Sequence, residues 1–263
     1  MTRFVGIVSA KGGVGKTTTT INLASALSFL RRDTIALDAN FANPDLGIHL
    51  GMAQQEKTLH SALKEEHHIK ESIYLHPSGI RIVPGSLSYR EALESRRENL
   101  MDVIYGLKGL TEAVIIDSTP GMGRDAQAVI KASDYVIIVT TPDIVSVTDS
   151  LKMIKLSEQL GKQVLGVIVN KRRGEGFEMD ERNISDFLGK GILGIVPSSG
   201  TIRKSLRDNK PIVATDPNSP ASVSYKKIAG QLIGECYVEH LEEREQRSLF
   251  SQILKNLGFS RKD

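Results

Sequence analysis

The sequence predicts a doubly wound α/β fold, a mostly parallel sheet with helices on both faces. Short β-branched runs alternate with stretches of helical period along nearly the whole chain. Most of those runs are apolar on both faces, as strands covered by helices on either side must be. A glycine-rich turn joins the first run to the first helical stretch, the strand–turn–helix context of a ligand loop.

In chain order, "RFVGIVS" (3–9) predicts the first strand and "KTTTTINLASALSFL" (16–30) the helix after it. Further strands are expected at "TIALD" (34–38), "IRIVPG" (80–85), "AVIID" (113–117), "YVIIVTT" (135–141), "QVLGVIVN" (163–170) and "GILGIVP" (191–197). Helical period returns in "IVSVTDSLKMIKLSEQL" (144–160) and "SVSYKKIAGQLIGECYVEHL" (222–241). Such alternation implies right-handed crossovers. No repeat, low-complexity tract or Pro/Gly/Ser linker interrupts it, so residues 1–240 are expected to form one domain. Residues 241–263 are expected to be a spacer and a C-terminal amphipathic helix.

Composition excludes several classes. At 263 residues the chain can bury a sizeable core. Its longest apolar runs are far too short to span a bilayer, and Lys11 arrives too early for a signal peptide. The lone cysteine, Cys236, excludes an intramolecular disulfide and any two-cysteine metal or cluster site. A cytoplasmic protein is expected. The net charge of +3 is too small to argue nucleic-acid binding, and "NKRR" (170–173) is only a local basic cluster.

"SAKGGVGKTTTT" (9–20) carries the chemistry. Gly12, Gly13 and Gly15 free backbone N–H groups to turn around phosphates, and the helix starting near Lys16 points its positive end at them. Lys16 is placed to reach the β- and γ-phosphates and the Thr17 hydroxyl to hold Mg²⁺. Ala10 stands where the common form of this loop has its first glycine, and Lys11 is a lysine more than the phosphates need.

"KGGVGKTT" resembles the loop of the MinD/ParA family of deviant Walker A P-loop ATPases, MinD more than ParA. The resemblance covers roughly residues 1–240, and the family tolerates other residues before the first lysine. It implies that Lys11, Gly12, Gly13, Val14, Gly15, Lys16, Thr17 and Thr18 bind ATP. Lys11 then crosses a nucleotide-sandwich homodimer to touch the partner's phosphates, an arginine finger made with a lysine. "LDANFANPDLGIHLG" (37–51) is similar to the family's switch I, and "VIIDSTPGMG" (114–123) to its Walker B and switch II. Asp38 and Asp117, at strand ends, are the carboxylates expected to act on Mg²⁺ directly or through its waters. Asn170 matches the family's adenine-binding asparagine and Pro197 the residue that packs the base. GTPase-type N-K-x-D is missing from "NKRR".

One residue departs from the pattern. MinD proteins carry a second aspartate two positions after the one matching Asp38, and this chain has Asn40. An amide orients water but accepts no proton, so the expectation is slow, dimer-dependent hydrolysis of ATP to ADP and phosphate.

In "RSLFSQILKNLGFSRKD" (247–263), Leu249, Phe250, Ile253, Leu254 and Leu257 fall within an arc of about 140° on a helix. Arg247, Lys255, Arg261 and Lys262 flank them. Such a face can lie in an anionic membrane surface, and from periodicity alone it can equally dock on its own domain. The resemblance favours the membrane, because MinD proteins end in such a helix. The expected protein is thus peripherally attached to the inner face of the cell membrane, places the division site or another structure, and is read or activated by a partner protein. A DNA-segregating ATPase of ParA type and a nucleotide-binding scaffold are the alternatives.

Overall fold

The computed structural model describes residues 2–235 and residue 237. In its first half, β1 (Arg3–Val8), α1 (Lys16–Phe29), β2 (Thr34–Ala39), α2 (Leu46–His49), α3 (Leu59–Leu63), β3 (Tyr74–Leu75), β4 (Arg81–Val83), α4 (Tyr89–Glu94) and α5 (Leu100–Tyr105) follow one another. The second half holds β5 (Ala113–Ser118), α6 (Arg124–Ala132), β6 (Tyr135–Thr140), α7 (Ile144–Gln159), β7 (Gln163–Arg172) and α8 (Glu181–Leu188). It closes with β8 (Ile192–Pro197), α9 (Gly200–Arg207), α10 (Ile212–Thr215) and α11 (Pro220–Ile233).

The strands form one eight-stranded sheet in the order β3-β4-β2-β5-β1-β6-β7-β8. Every pairing is parallel except β3 with β4. All seven expected strands are present. The eighth, β3, is two residues long, too short to leave a period in the sequence.

Alternation sorts each strand's side chains to two apolar layers. Val5, Ile7, Ile115, Ile137 and Ile168 pack with Ile21, Leu23, Tyr225 and Ile228 of α1 and α11. Their neighbours Phe4, Val114 and Ile116 pack on the opposite face with Ile104 and Val129 of α5 and α6. Val8, Val136, Ile138, Val167 and Val169 meet α7 and α8 there. This two-sided burial is why the strands read as continuous apolar runs.

The last helix differs from its expected span of 222–241. It begins at Pro220, behind a Ser219 cap. It stops at Ile233 because Gly234 turns left-handed at φ 75°. The Gly234 and Glu235 N–H groups then donate to the carbonyls of Gln231 and Gly230, which closes the helix end. Most of the expected stretch beyond that point lies outside the described residues. So do the tail residues Leu249, Phe250, Ile253, Leu254 and Leu257.

β8 and α11 meet at a glycine. A Cβ on Gly194 would lie 2.5 Å from Ile228 Cγ1, with no room for it. Gly194→Ala should therefore cost about 1–3 kcal/mol, as overpacking of a filled core does. Urea unfolding checks this, and a midpoint equal to the parent's would show that the helix can retreat without cost.

Candidate functional site

Strand order reverses around β1, and the carboxyl ends of β1, β2 and β5 open onto one crevice, the ligand position of an open α/β sheet. The loop from residue 9 to 15 rises there. Gly13 and Gly15 have φ of 77° and 98°, the left-handed region that favours glycine. Gly15 is needed twice over, since a Cβ would fall 2.2 Å from Asn170 Nδ2. Gly15 also caps α1 without a side-chain hydrogen bond, so no side chain competes for the leading N–H groups of the helix. Ala10 packs against the layer of Val8, Ile138 and Val169, a use for a methyl group where the common loop has glycine.

Beneath the loop lie the two strand-end carboxylates. Asp38 and Asp117 are register partners across β2 and β5, and both are fully buried. Thr17 Oγ1 donates to Asp117 Oδ2 at 2.6 Å and Thr20 Oγ1 to its Oδ1 at 3.3 Å. Asp38 accepts from the N–H groups of Asn40 at 3.1 Å and Leu46 at 2.9 Å. Burial pushes Asp117 up to about 6, against the pull of Lys16 and the Thr17 hydroxyl. Burial, with the Asp117 charge added, holds Asp38 well above the carboxylate range against its two backbone donors. Lys16 is itself buried, and desolvation lowers its pKa while Asp117 and Asp45 oppose that shift.

Two adjacent buried carboxylates beside a threonine hydroxyl fit a hard divalent cation, whose charge would relieve their repulsion. Among the described residues no cluster of three or more His, Cys, Asp or Glu could hold a metal. Magnesium needs no such cage, because it takes one or two carboxylates and completes its shell with water and phosphate.

Above the carboxylates is a cavity of about 600 Å³, within the range of nucleotide-sized sites. Gly12, Gly13 and Gly15 through Thr18 form one end of its wall, while Asn170, Pro197 and Ile202 also line it. Val14 is buried and joins the apolar layer under α1, so only its backbone is offered to a ligand. Asn170 Nδ2 donates to the Val14 carbonyl at 2.8 Å and Asn170 Oδ1 accepts from Lys171 N at 2.9 Å. Half of that amide is thus spent on the loop, leaving one N–H and one lone pair for a base. Lys171, left-handed at φ 61°, donates through Nζ to Gly13 O at 2.6 Å.

Lys11 is partly buried but does not line this cavity. Ser9 Oγ donates to its carbonyl at 2.7 Å. Its charge acts on Asp143 at the start of α7, whose pKa burial raises but the Thr141 and Ser146 hydrogen bonds, with Lys11, bring below the usual value. Asn40 does line the cavity, as do Asp45, Lys171, Arg173 and Arg203, four residues that sequence reasoning did not assign to the site. The basic run at 170–173 was the available signal for two of them. Asp45 lies within the 37–51 segment likened to switch I, but nothing in the chain's order singles it out, and nothing marks Arg203.

A family model described as ParA, NUBPL iron-transfer P-loop NTPase, matches residues 1–233. An uncharacterized ATP-binding protein of Methanocaldococcus jannaschii is 33% identical over 253 residues, 96% of each chain. The flagellum site-determining protein YlxH of Helicobacter pylori is 30% identical over 273 residues, covering 98% of this chain and 91% of its own. The structure of the septum site-determining protein MinD from Pyrococcus horikoshii, complexed with Mg-ADP, matches with a TM-score of 0.85 at 29% identity. That match covers 88% of this chain and 96% of the other. The iron transfer in the family description has no cysteine pair to rest on here, since Cys236 is alone.

Proposed function

The chain belongs to the ParA/MinD family of P-loop NTPases, and from that premise we propose that it is an ATP-dependent, dimerising, membrane-cycling switch of MinD type. The observation that supports the reading is a cavity lined by the glycine loop, Lys16, Thr17 and Thr18, with Lys11 outside it. Lys16 and the loop backbone from Gly12 to Thr18 hold the phosphates, and Asn170 and Pro197 hold the adenine. Thr17, Asp38 and Asp117 hold Mg²⁺, which when bound neutralises charge developing on the phosphates. Lys11, which is outside its own cavity, serves the site of a second copy. Hydrolysis is slow until that copy arrives.

Two relatives whose names contain "site-determining", one for the flagellum and one for the septum, support a placing role. The division site is the first candidate, with a partner protein as reader. The catalytic domain is residues 1–240. Residues 241–263 tether it to the inner face of the cell membrane. Among the described residues no helix is long and apolar enough to cross a membrane.

Magnitudes suit a switch. Five apolar side chains are worth at most about 1.5–3 kcal/mol each and are only partly buried at an interface. Ordering the segment costs on the order of 1–2 kcal/mol per residue. One tail is marginal, and two joined by an ATP-bound dimer gain avidity. The test is co-sedimentation with anionic vesicles in ATP, ADP or no nucleotide, beside a DNA-binding assay. ATP-dependent sedimentation is expected, and it should vanish on deletion after residue 246 while Mg-ATP binding persists. Leu254→Glu should do nearly as much, since insertion would have to desolvate the charge. ATP-dependent DNA binding without vesicle binding would transfer the protein to the segregation class.

A further inference from the structure

Position 40 leaves a chemical gap. The attacking water needs an acceptor for its proton, and the amide of Asn40 cannot be one. Nor are Asp38 and Asp117 free for the task. In the ATPase reading both are committed to Mg²⁺, directly or through its waters.

Two unused acceptors belong to residues on the cavity wall, Asn40 and Asp45. Asn40 is only 5% exposed, and its Nδ2 donates to Asn43 O at 2.5 Å. Its Oδ1 is buried with no hydrogen-bond partner. A buried orphan acceptor is destabilising, so the position is satisfied only when something donates to it. The second acceptor is Asp45, the one carboxylate on the cavity wall among the described residues. It stands at the cap position of α2, yet its side chain makes no capping hydrogen bond. Nor does that side chain make any hydrogen bond or ion pair with the described residues, although the Asp45 carbonyl accepts from His49 N. Its backbone is held in place, because the next residue's N–H is clamped by Asp38 Oδ2 at 2.9 Å. Asp45 lines the same cavity as Lys16, whose pKa its charge helps to hold up.

Resting on the ATPase reading above, we infer that Asn40 Oδ1 and the Asp45 carboxylate together seat the attacking water, and that Asp45 accepts its proton. The water oxygen forms a bond to the γ-phosphorus as the bond from that phosphorus to the β,γ-bridging oxygen breaks. The bridging oxygen leaves with the electron pair on ADP. One proton of the water passes to Asp45 and from there to bulk solvent, and orthophosphate is released.

The experiment is steady-state phosphate release by the full-length protein with anionic vesicles, paired with Mg-ATP binding under the same conditions. Asp45→Asn keeps the size and capping capacity of the side chain, so the fold should persist. Turnover should fall about 10²–10⁴-fold, the usual worth of a general base, with Mg-ATP affinity unchanged. The exchanged variant Asn40→Asp/Asp45→Asn should recover turnover, which a merely structural role for Asp45 would not allow. Parental turnover in Asp45→Asn would overturn the inference and move the proton acceptor elsewhere, to His49 on the same wall. Equal losses in affinity and turnover, or no recovery on exchange, would overturn it as well. A parent that binds Mg-ATP but releases no phosphate would sink the ATPase reading and this inference with it. Turnover in the parent that survives in Asp45→Asn sinks this inference alone.

Discussion

Lys16→Ala should abolish measurable Mg-ATP binding. Lys16 is the buried cation of the phosphate loop, only 7% exposed, and it lines the cavity floor beside Asp117. Charge-assisted hydrogen bonds of this kind are worth about 1.5–3 kcal/mol each, so losing contacts to two phosphates should weaken binding at least about a hundredfold. The change also acts without nucleotide. Lys16 is the strongest influence holding Asp117 down, and burial already raises that carboxyl to about 6. A carboxyl raised in the folded state binds protons that the unfolded chain does not. Its stabilisation is full below the ordinary carboxylate value and is lost as pH rises through the folded value. Without Lys16 the loss should extend above pH 6. The variant's stability deficit against the parent should therefore be larger at pH 7.5 than at pH 5 in urea unfolding. Isothermal titration with Mg-ATP gives the other half of the test, and parental affinity in Lys16→Ala would remove the phosphate-site assignment.

The legible parts of this molecule are those in which local chemistry and position in the chain coincide. Most of the seven strands showed because both of their faces are buried, so β-branched residues run on without polar breaks, and the edge strand β8 is apolar although only Val196 in it is buried. The phosphate loop showed because its glycines, lysine and threonine are consecutive. β3 stayed hidden because two residues carry no period. Gly234 was passed over because its neighbours kept the helical spacing, although a left-handed glycine ends a helix whatever follows. Asp45 was hidden for a different reason. It is seven residues from Asp38 and seventy-two from Asp117, and only the pairing of β2 with β5 and the turn into α2 bring the three near one lysine. Asn40 was legible as a missing proton acceptor, but not as an amide with an orphan oxygen. That depends on Asn43 O occupying its other end.

Lys11→Ala should separate binding from turnover. Lys16, Gly12, Gly13 and Gly15 line the cavity, whereas Lys11 lies outside it near Asp143. Beside Asp143, the apolar side chains of Ile144 and Val145 are 56% and 55% exposed. A cation there adds little to its own subunit's grip on phosphate, so Mg-ATP affinity should stay close to the parent's. Turnover is another matter. A cation delivered across an interface to charge developing in the transition state is worth about 10³–10⁵ in rate. The parent's phosphate release per molecule should rise with protein concentration as dimers form, and that of Lys11→Ala should stay flat near the basal rate. Sedimentation velocity in ATP should show a dimer for the parent and a monomer for the variant. The rise and the dimer have a common cause, so they should be lost together. A variant that dimerises and turns over like the parent would place Lys11 among ordinary loop lysines. One that loses Mg-ATP binding outright would put the lysine back in its own subunit's site, and the switch would need another reason to wait for its partner.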